Sequence, residues 1–293
     1  MPAGPADPIL CVGELLWDAL PAGLFLGGAP YNVAHHLHQL GRPAALVSRV
    51  GDDALGREAR RRLGAAGLSD ALVQTDADRP TGFVRVALQD DGGPAYDIEQ
   101  PAAWDAIALT PQLRAAADRA RVLVFGSLAQ RSDPSRATIR AMLEALPEDA
   151  LAVFDVNLRP PFADPAVVRA SLEAADVVKL NDDELAQLAV WFEVPDDLDD
   201  ALPVLAARFG CRAVCVTRGP RGAALWHDGR LTAHPGHPVR PVDTVGAGDA
   251  FLAALLDALL ADASDEQALD RAARLGAYVA TQPGATPPHP DPT

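Results

Sequence analysis

The chain has 293 residues, of which 49% are hydrophobic and 22% charged, and its formal net charge at pH 7 is −15. This length and hydrophobic content allow a sizeable core, in one large α/β domain or two small ones, and exclude a disordered chain. The negative charge, with a pI of about 4.7, argues against polyanionic partners such as nucleic acid and anionic membranes.

The first residues, MPAGPADP, lack the basic start and the continuous apolar stretch of a signal peptide. The longest apolar helical run, Ala250 to Ala261, contains Asp257 and is too short to span a membrane. We therefore expect a cytoplasmic protein whose cysteines are reduced and packed in the core. These cysteines are odd in number and lie on strand-like segments without metal-ligand partners: Cys11, Cys211 and Cys215.

The N-terminal part begins with a strand-like run, Ile9 to Val12, followed by GELLWD at 13–18. Further on, the pair Gly27-Gly28 precedes a predicted helix from about Tyr31 to Leu40. Paired glycines let the backbone approach a ligand closely. Asn32, in the first turn of this helix, offers a donor and acceptors to a polyol. By itself, however, the segment is better interpreted as an ordinary helix start capped by asparagine.

One segment, Thr81 to Glu99, departs from the alternation of strands and helices found elsewhere. Its strand-like runs FVRVAL and YDI flank Asp90-Asp91-Gly92-Gly93. Strand-like runs separated by such a glycine-containing turn are typical of a β-hairpin. The sequence therefore predicts a small β unit here.

The other strand-like runs alternate with alanine-rich helical stretches, as at Leu151 to Asp155, Val177 to Leu180 and Ala213 to Thr217. Such alternation predicts a mostly parallel sheet covered by helices. Ligands of these sheets bind beyond the carboxyl ends of the strands. The predicted strands place four polar residues there: Asp18, Asn157, Asn181 and Thr217.

The chain contains a single lysine, Lys179, and residue 178 is a valine. A Walker A loop requires glycine before its lysine, so a P-loop nucleotide site is excluded. Phosphates of a nucleotide would have to be held by backbone N–H groups, a metal ion and arginines such as Arg159 or Arg218.

The sequence DTVGAGDAF at 243–251 places a carboxylate beside small residues where a helix is predicted to begin, with its apolar run at 251–260. The tripeptide Gly246-Ala247-Gly248 allows backbone N–H groups to converge on a phosphate-sized anion. Asp249 would repel a phosphate, which favours a role as the base for an attacking hydroxyl. The alternative interpretation is a helix start in which Asp249 only complements the dipole. A GxGxxG dinucleotide site is excluded, because Phe251 replaces its last glycine.

Together these segments resemble the ribokinase-like (PfkB) family of sugar and nucleoside kinases. The resemblance runs from about Leu10 to Pro287 and is carried, in the family's order, by GELLWD, GGAPYN, FDVNLRPPF, KLNDDEL, VTRGPRGA, DTVGAGDAF and QPGATP. It implies one kinase domain over 1–293, with a three-layer α/β/α fold, a mostly parallel central sheet and a small β lid. The lid strands are expected in about 14–26 and 81–104. ATP, Mg²⁺ and K⁺ are the expected cofactors, and the lid could form a homodimer.

The resemblance also implies roles for single residues. Asp249 is expected to be the catalytic base, with the backbone of Gly246-Ala247-Gly248 binding the transferred phosphate. Residues three apart share a helix face, so Asn181 and Glu184 are expected to act on Mg²⁺ through water, and Asp243 to hold the loop or assist a K⁺ site. The residues expected to contact the sugar are Asp18, Gly27, Gly28, Asn32, Tyr96 and Arg159. Those expected to contact the nucleotide are Asn181, Glu184, Thr217, Arg218, Gly219, Gly222 and Gly284.

Within the family the chain is most similar to fructokinases, which implies phosphorylation of a primary hydroxyl of a small neutral sugar, D-fructose first of all. The alternatives are a 2-keto-3-deoxygluconate kinase and other sugar or nucleoside kinases. Acid-specific lids carry a Tyr-Arg pair where this chain has Glu99-Gln100, which favours a neutral sugar. Many fructokinases also have arginine near that position, however, and Arg85 is the nearby replacement. A non-catalytic sugar sensor would be expected to lack Asp249 or its neighbouring glycines, and both are present.

Overall fold

The computed structural model describes residues 8–20, 23–88, 94–195 and 197–290, without the side chains of 20, 86–88 and 94–96. The predicted turn Asp90 to Gly93 and the side chain of Tyr96 therefore lie outside the described residues. The strands are β1 (Ile9–Val12), β2 (Leu16–Leu20), β3 (Gly23–Gly27), β4 (Ala44–Gly51), β5 (Val73–Asp76), β6 (Gly82–Leu88), β7 (Pro94–Ile98), β8 (Val122–Gly126), β9 (Leu151–Asp155), β10 (Val177–Asn181), β11 (Ala213–Thr217), β12 (Ala223–His227) and β13 (Arg230–His234). The α-helices are α1 (Ala29–Gln39), α2 (Ala54–Ala65), α3 (Pro111–Ala117), α4 (Asp133–Leu143), α5 (Pro165–Glu173), α6 (Asp182–Phe192), α7 (Leu198–Phe209), α8 (Ala247–Leu259) and α9 (Asp265–Ala280).

A large sheet contains nine strands in the order β13-β12-β11-β10-β9-β8-β1-β4-β5. From β11 to β5 all neighbours pair in parallel, and β12 and β13 add an antiparallel edge. The register sets Lys179 of β10 between Asp155 of β9 and Cys215 of β11. The mostly parallel sheet predicted from the sequence is confirmed, and its strands end at a common edge where ligands of such sheets bind.

Helices cover both faces of this sheet. Because side chains alternate along a strand, Ile9 and Cys11 pack with α1, α2, α8 and α9, whereas Leu10 and Val12 pack with α3 to α7. Each parallel strand is thus buried on two sides, as its apolar sequence indicates. The three-layer α/β/α architecture is confirmed.

A second, small sheet has the strand order β3-β2-β6-β7. Strand β2 pairs antiparallel with β3 and parallel with β6, and β6 pairs antiparallel with β7. Trp17 of β2 is fully buried and its indole N–H donates to the carbonyl of Leu55, at 3.1 Å. The Arg62 guanidinium carbon lies 4.6 Å from the centre of the same ring. These contacts anchor the small sheet on α2.

Helix α8 begins earlier than the sequence predicted, at Ala247 instead of Phe251. Gly246 has a φ of 78° and is the N-cap of the helix. This left-handed conformation, which glycine adopts without strain, immediately precedes the first helical residue, Ala247. Gly248 and Asp249 are therefore helical residues of the first turn. The apolar pattern alone could not locate this start, because it begins only at Phe251.

All three cysteines are free and buried, as predicted: Cys11, Cys211 and Cys215. Burial raises the pKa of the Cys211 thiol to about 11 and that of Cys215 to about 12, so these thiols stay protonated. Among the helices in the described ranges, none is both long enough and apolar enough to cross a membrane.

Candidate active site

The start of α8 presents backbone donors in a fixed geometry. A Cβ on Gly246 would overlap Ala285, whose Cα would be only 2.6 Å away, so this close approach requires glycine. The N–H of Ala247 donates to a carbonyl of the preceding loop, at 3.2 Å. In the described part of the chain the N–H groups of Gly248 and Asp249 have no backbone acceptor. Two donors at the positive end of a helix thus remain for an anion.

Asp249 lies in this turn with one carboxylate oxygen held. Its Oδ2 accepts a hydrogen bond of 2.7 Å from Nδ2 of Asn32, in the first turn of α1. Desolvation raises the pKa of Asp249, and Lys179, the Asn32 hydrogen bond and Arg159 counteract the rise. No donor to Oδ1 of Asp249 is present among the described residues. A carboxylate held on one side and open on the other can accept a proton from a hydroxyl.

Gly27, at the end of β3, and Gly28, just before α1, each leave room for a carboxyl residue of this chain. A Cβ on Gly27 would overlap the Oδ2 of Asp18, on the neighbouring strand β2. Gly28 has a φ of 110°, and a Cβ there would overlap the backbone carbonyl of Glu14. The predicted close approach at Gly27 and Gly28 is therefore made to this chain's own acidic residues.

Burial perturbs both of these carboxyl groups. It raises the pKa of Asp18 to about 6 and that of Glu14 to about 7. Arg159 lowers both pKa values and Asp249 raises both, so the four charges interact across one region. Glu14 accepts a hydrogen bond of 3.3 Å from the N–H of Ala29. Asp18 and Asn32 thus occur together with Asp249, and Arg159 is exposed beside them.

A buried ion pair lies beneath the first turn of α8. The Nζ of Lys179 is 3.1 Å and 3.3 Å from the two carboxylate oxygens of Asp155, on the adjacent strand. Lys179 is 7% exposed and Asp155 is 3% exposed. A Cβ on Gly248 would lie 3.1 Å from this Nζ. The absence of a side chain at Gly248 thus leaves room for the ammonium group.

The expectation that Asn181 and Glu184 share one helix face is wrong. Asn181 is the last residue of β10 and the N-cap of α6, and its side chain accepts from the N–H of Glu184, at 2.8 Å. Glu184 in turn accepts from the N–H of Asn181, at 2.9 Å, and from the N–H of Leu158, at 2.8 Å. The pair is a capping box. Its carboxylate also fixes the loop that carries Arg159.

The end of β11 and the loop after it contain four of the residues expected to contact the nucleotide: Thr217, Arg218, Gly219 and Gly222. Thr217 Oγ1 donates to a β10 carbonyl at 3.4 Å, and the N–H of Arg218 donates to the carbonyl of Gly222 at 2.8 Å. Gly219 and Gly222 have φ values of 53° and 83°. A Cβ on Gly222 would overlap the carbonyl of His234. The glycines therefore close a tight turn at the edge where the parallel strands end.

Asp243 joins two segments near the anion-binding turn. Its Oδ1 accepts from the N–H of Val245 at 3.0 Å, and its Oδ2 accepts from the N–H of Gly284 at 3.2 Å. Gly284 has a φ of 76°, and a Cβ there would lie 3.1 Å from the ring of Phe25, in β3. The segment around Gly284 thus contacts the small sheet and is tied to the loop before α8.

An ion pair joins strand β6 of the small sheet to the residue that follows β7. Arg85 of β6 and Glu99 lie 2.5 Å apart, and their side chains are 63% and 31% exposed. The arginine identified from the sequence as a replacement cation is therefore neutralised by the glutamate next to it. Tyr96 lies in β7, but its side chain is outside the described residues.

Comparison with known proteins identifies the family of this chain. Residues 21–292 match the model for a family described as pfkB family carbohydrate kinase. The chain belongs to this family. It is a sugar kinase. The chain is 33% identical to fructokinase-1 of Oryza sativa subsp. japonica, over 97% of this chain and 95% of that protein. It is 34% identical to a fructokinase of Klebsiella pneumoniae over 86% and 84% of the two chains. The fructokinase of Vibrio cholerae O395, solved with fructose, ADP and calcium, is 26% identical, with a TM-score of 0.80 and 96% and 95% coverage.

Three charged groups near Asp249 in this kinase were not predicted from the sequence as parts of the site: Glu14, Asp155 and Lys179. A signal was present, because Asp155 and Lys179 each occur within an otherwise apolar strand, LAVFD and VVKLN. Charged residues are almost never buried unless they are paired. Charges of opposite sign on two adjacent buried strands therefore indicate an ion pair.

Proposed function

We propose that the kinase transfers the γ-phosphoryl group of ATP to a primary hydroxyl of a small neutral sugar, and that this sugar is D-fructose. One observation carries the proposal: Asp249, held by Asn32 at 2.7 Å, lies in the same helical turn as the amides that can bind a phosphate. The names of the rice and Klebsiella relatives support the choice of sugar. The fructose and ADP of the Vibrio structure support the pair of ligands.

In the proposed reaction the sugar hydroxyl donates its proton to Asp249 as its oxygen attacks the γ-phosphorus. A bond forms from this oxygen to phosphorus, the bond from phosphorus to the ADP oxygen breaks, and the proton stays on Asp249. The amides of Gly248 and Asp249 face the charge that spreads over the transferred group. General-base help contributes roughly 10²–10⁴ in rate, and one well-placed amide about 2.7–4 kcal/mol. Asn32 orients the base.

Mg²⁺, when bound, would neutralise phosphate charge. Both oxygens of Glu184 already accept backbone N–H groups, so its remaining lone pairs fit a contact through water better than direct ligation. Oxygen donors and retained waters are what Mg²⁺ prefers. We therefore assign Asn181 and Glu184 to the water shell of this ion. Asp243, which joins two backbone segments, is proposed to support a K⁺ site.

The sugar is proposed to lie over Gly27 and Gly28, with Asp18 and Asn32 as partners for its hydroxyls and Arg159 beside them. The loop at 217–222 and Gly284 would contact the nucleotide. The small sheet would cover the sugar, because water that reached the phosphate would hydrolyse ATP. We also propose that this sheet is the surface for a homodimer.

The Arg85–Glu99 pair bears on the choice between neutral and acidic sugars. A sugar acid would need a cation of its own, and the guanidinium of Arg85 is already compensated by Glu99. Burial of a carboxylate without a partner is costly. The Arg85–Glu99 pair therefore favours fructose over 2-keto-3-deoxygluconate as the substrate.

Purified protein assayed with ATP, Mg²⁺ and a panel of sugars tests the proposal. The panel contains D-fructose, 2-keto-3-deoxygluconate, D-ribose and a nucleoside, and ADP release gives kcat/KM for each. We expect the highest value for fructose. A higher kcat/KM for the sugar acid would overturn the fructose assignment and leave the kinase assignment intact.

A further inference from the structure

The only lysine of the chain lies at the centre of the site. Lys179 is 7% exposed, and both oxygens of Asp155 are within 3.3 Å of its Nζ. The other 24 basic side chains among the 25 lysines and arginines are arginines. Burial of a long charged side chain is rare, and here the strand register alone brings the two charges side by side.

The position of this ammonium group is unfavourable for the stability of α8. A cation beside a helix N-terminus opposes the helix dipole, which prefers negative charge there. Yet the Nζ of Lys179 lies next to the first turn, 3.1 Å from the position of a Cβ on Gly248. Two positive elements, the ammonium group and the first-turn amides, are thus neighbours at Gly248. This arrangement is expected where an anion binds and where a neighbouring carboxylate must stay ionised.

We propose that Lys179, held by Asp155, is a positioning residue for the phosphoryl transfer: its ammonium keeps Asp249 ionised and adds positive charge behind the anion-binding amides. This inference rests on the proposed function. Lys179 acts through Asp249 and the amides of the first turn and is not assigned a contact with the sugar. Asp155 sets the position of the ammonium group.

Other charges near Asp249 do not replace this lysine. Glu184 raises the pKa of Asp249. The carboxyl groups of Glu14 and Asp18 also interact with Asp249, and their negative charges oppose its ionisation. Arg159 acts in the same direction as Lys179 but is exposed, so its charge is screened by solvent. The charged groups that face Asp249 from the surrounding elements are Glu14, Asp18, Asp155, Arg159, Lys179 and Glu184.

The test compares Lys179→Met, Lys179→Arg and Asp155→Asn with the wild type in pH profiles of kcat. Loss of the positive charge in Lys179→Met should shift the acid limb of the profile to higher pH by about 1 pH unit or more. The reason is that a nearby opposite charge lowers a carboxyl pKa by about 1–3 units. Asp155→Asn removes a negative charge and should not shift the acid limb to higher pH. Lys179→Arg should keep the limb near its wild-type position.

A spectroscopic measurement separates this inference from the proposed function, because it needs no turnover. Labelling with ¹⁵N-lysine gives one side-chain ammonium signal. Its pH titration without ligands should show an inflection from Asp249 that is lost in Asp249→Asn, while any inflection from Asp155 or Glu184 remains. If this coupling is present but the wild type phosphorylates no sugar, the proposed function fails and the electrostatic link survives. An acid limb that stays in place in Lys179→Met, together with a lower melting temperature, would make Lys179 a structural residue and overturn the inference.

Discussion

The substitution Glu14→Gln should reveal how much the buried carboxyl group of Glu14 costs the folded state. Glu14 is 3% exposed, and its Oε2 has no hydrogen-bond partner among the described residues. Burial raises its pKa from 4.5 to about 7. A raised native pKa means that the folded protein binds this proton more tightly than the unfolded chain. The stabilisation is therefore complete below about pH 4.5 and is lost as the pH rises through about 7.

The two pKa values differ by about 2.5 pH units, and each unit corresponds to about 1.36 kcal/mol, so the wild type loses about 3 kcal/mol of stability over this range. The glutamine side chain of the variant cannot ionise, and its amide oxygen can still accept from the N–H of Ala29. We expect Glu14→Gln to match the wild type near about pH 4.5 and to exceed its free energy of unfolding by about 3 kcal/mol at about pH 8.

Urea unfolding at several pH values measures this difference directly. The exposed Glu148 supplies a matched control, because Glu148→Gln removes a carboxylate without changing a buried site. The wild-type and control curves should coincide at every pH. A difference between Glu14→Gln and the wild type that is independent of pH, or that favours the wild type at high pH, would show that burial of Glu14 does not raise its pKa.

Four further substitutions test the proposed magnesium site, the sugar site, the choice of sugar and the start of α8. Glu184→Ala should raise the Mg²⁺ concentration needed for the half-maximal rate. It should also lower the melting temperature, because it leaves two backbone N–H groups without an acceptor. Its sugar affinity, measured by calorimetry, should be unchanged. Asp18→Ala should weaken equilibrium sugar binding by about 1–3 kcal/mol and leave the Mg²⁺ requirement unchanged. Glu99→Arg should improve kcat/KM for 2-keto-3-deoxygluconate more than for fructose, because it replaces a negative charge by a positive one. Gly246→Ala should lower both melting temperature and kcat, because its Cβ overlaps Ala285.

The layers and the sheet could be predicted from the sequence because they follow from local patterns. In this chain, apolar strands such as VLVFG alternate with helical segments, and that pattern is typical of a parallel sheet buried between helices. The start of α8 could not be found in this way. Gly246 and Gly248 both weaken a helical pattern, and only the backbone conformation of Gly246 shows that the helix begins immediately after it.

The site was less predictable than the fold, because its contacts join distant segments. The hydrogen bond from Asn32 to Asp249 spans 217 residues of sequence, and the Lys179–Asp155 pair depends on the register of two strands. The spacing of Asn181 and Glu184 predicted that both lie on one helix face, but Asn181 is the N-cap of α6 and its side chain is held in a capping box with Glu184. Likewise, Arg85 and Glu99 had opposite predicted effects on a sugar acid before their pairing was visible.

The proposed mechanism requires that Asp249 accepts the proton of the attacking sugar hydroxyl. The most direct measurement is kcat for D-fructose and ATP in the wild type and in Asp249→Asn, with ADP affinity measured in parallel and the absence of deamidation checked by mass spectrometry. The amide retains the size of the side chain and removes its charge, so ADP should still bind while kcat falls at least ~10²-fold. Turnover of Asp249→Asn within a few-fold of the wild type would show that Asp249 is not the catalytic base.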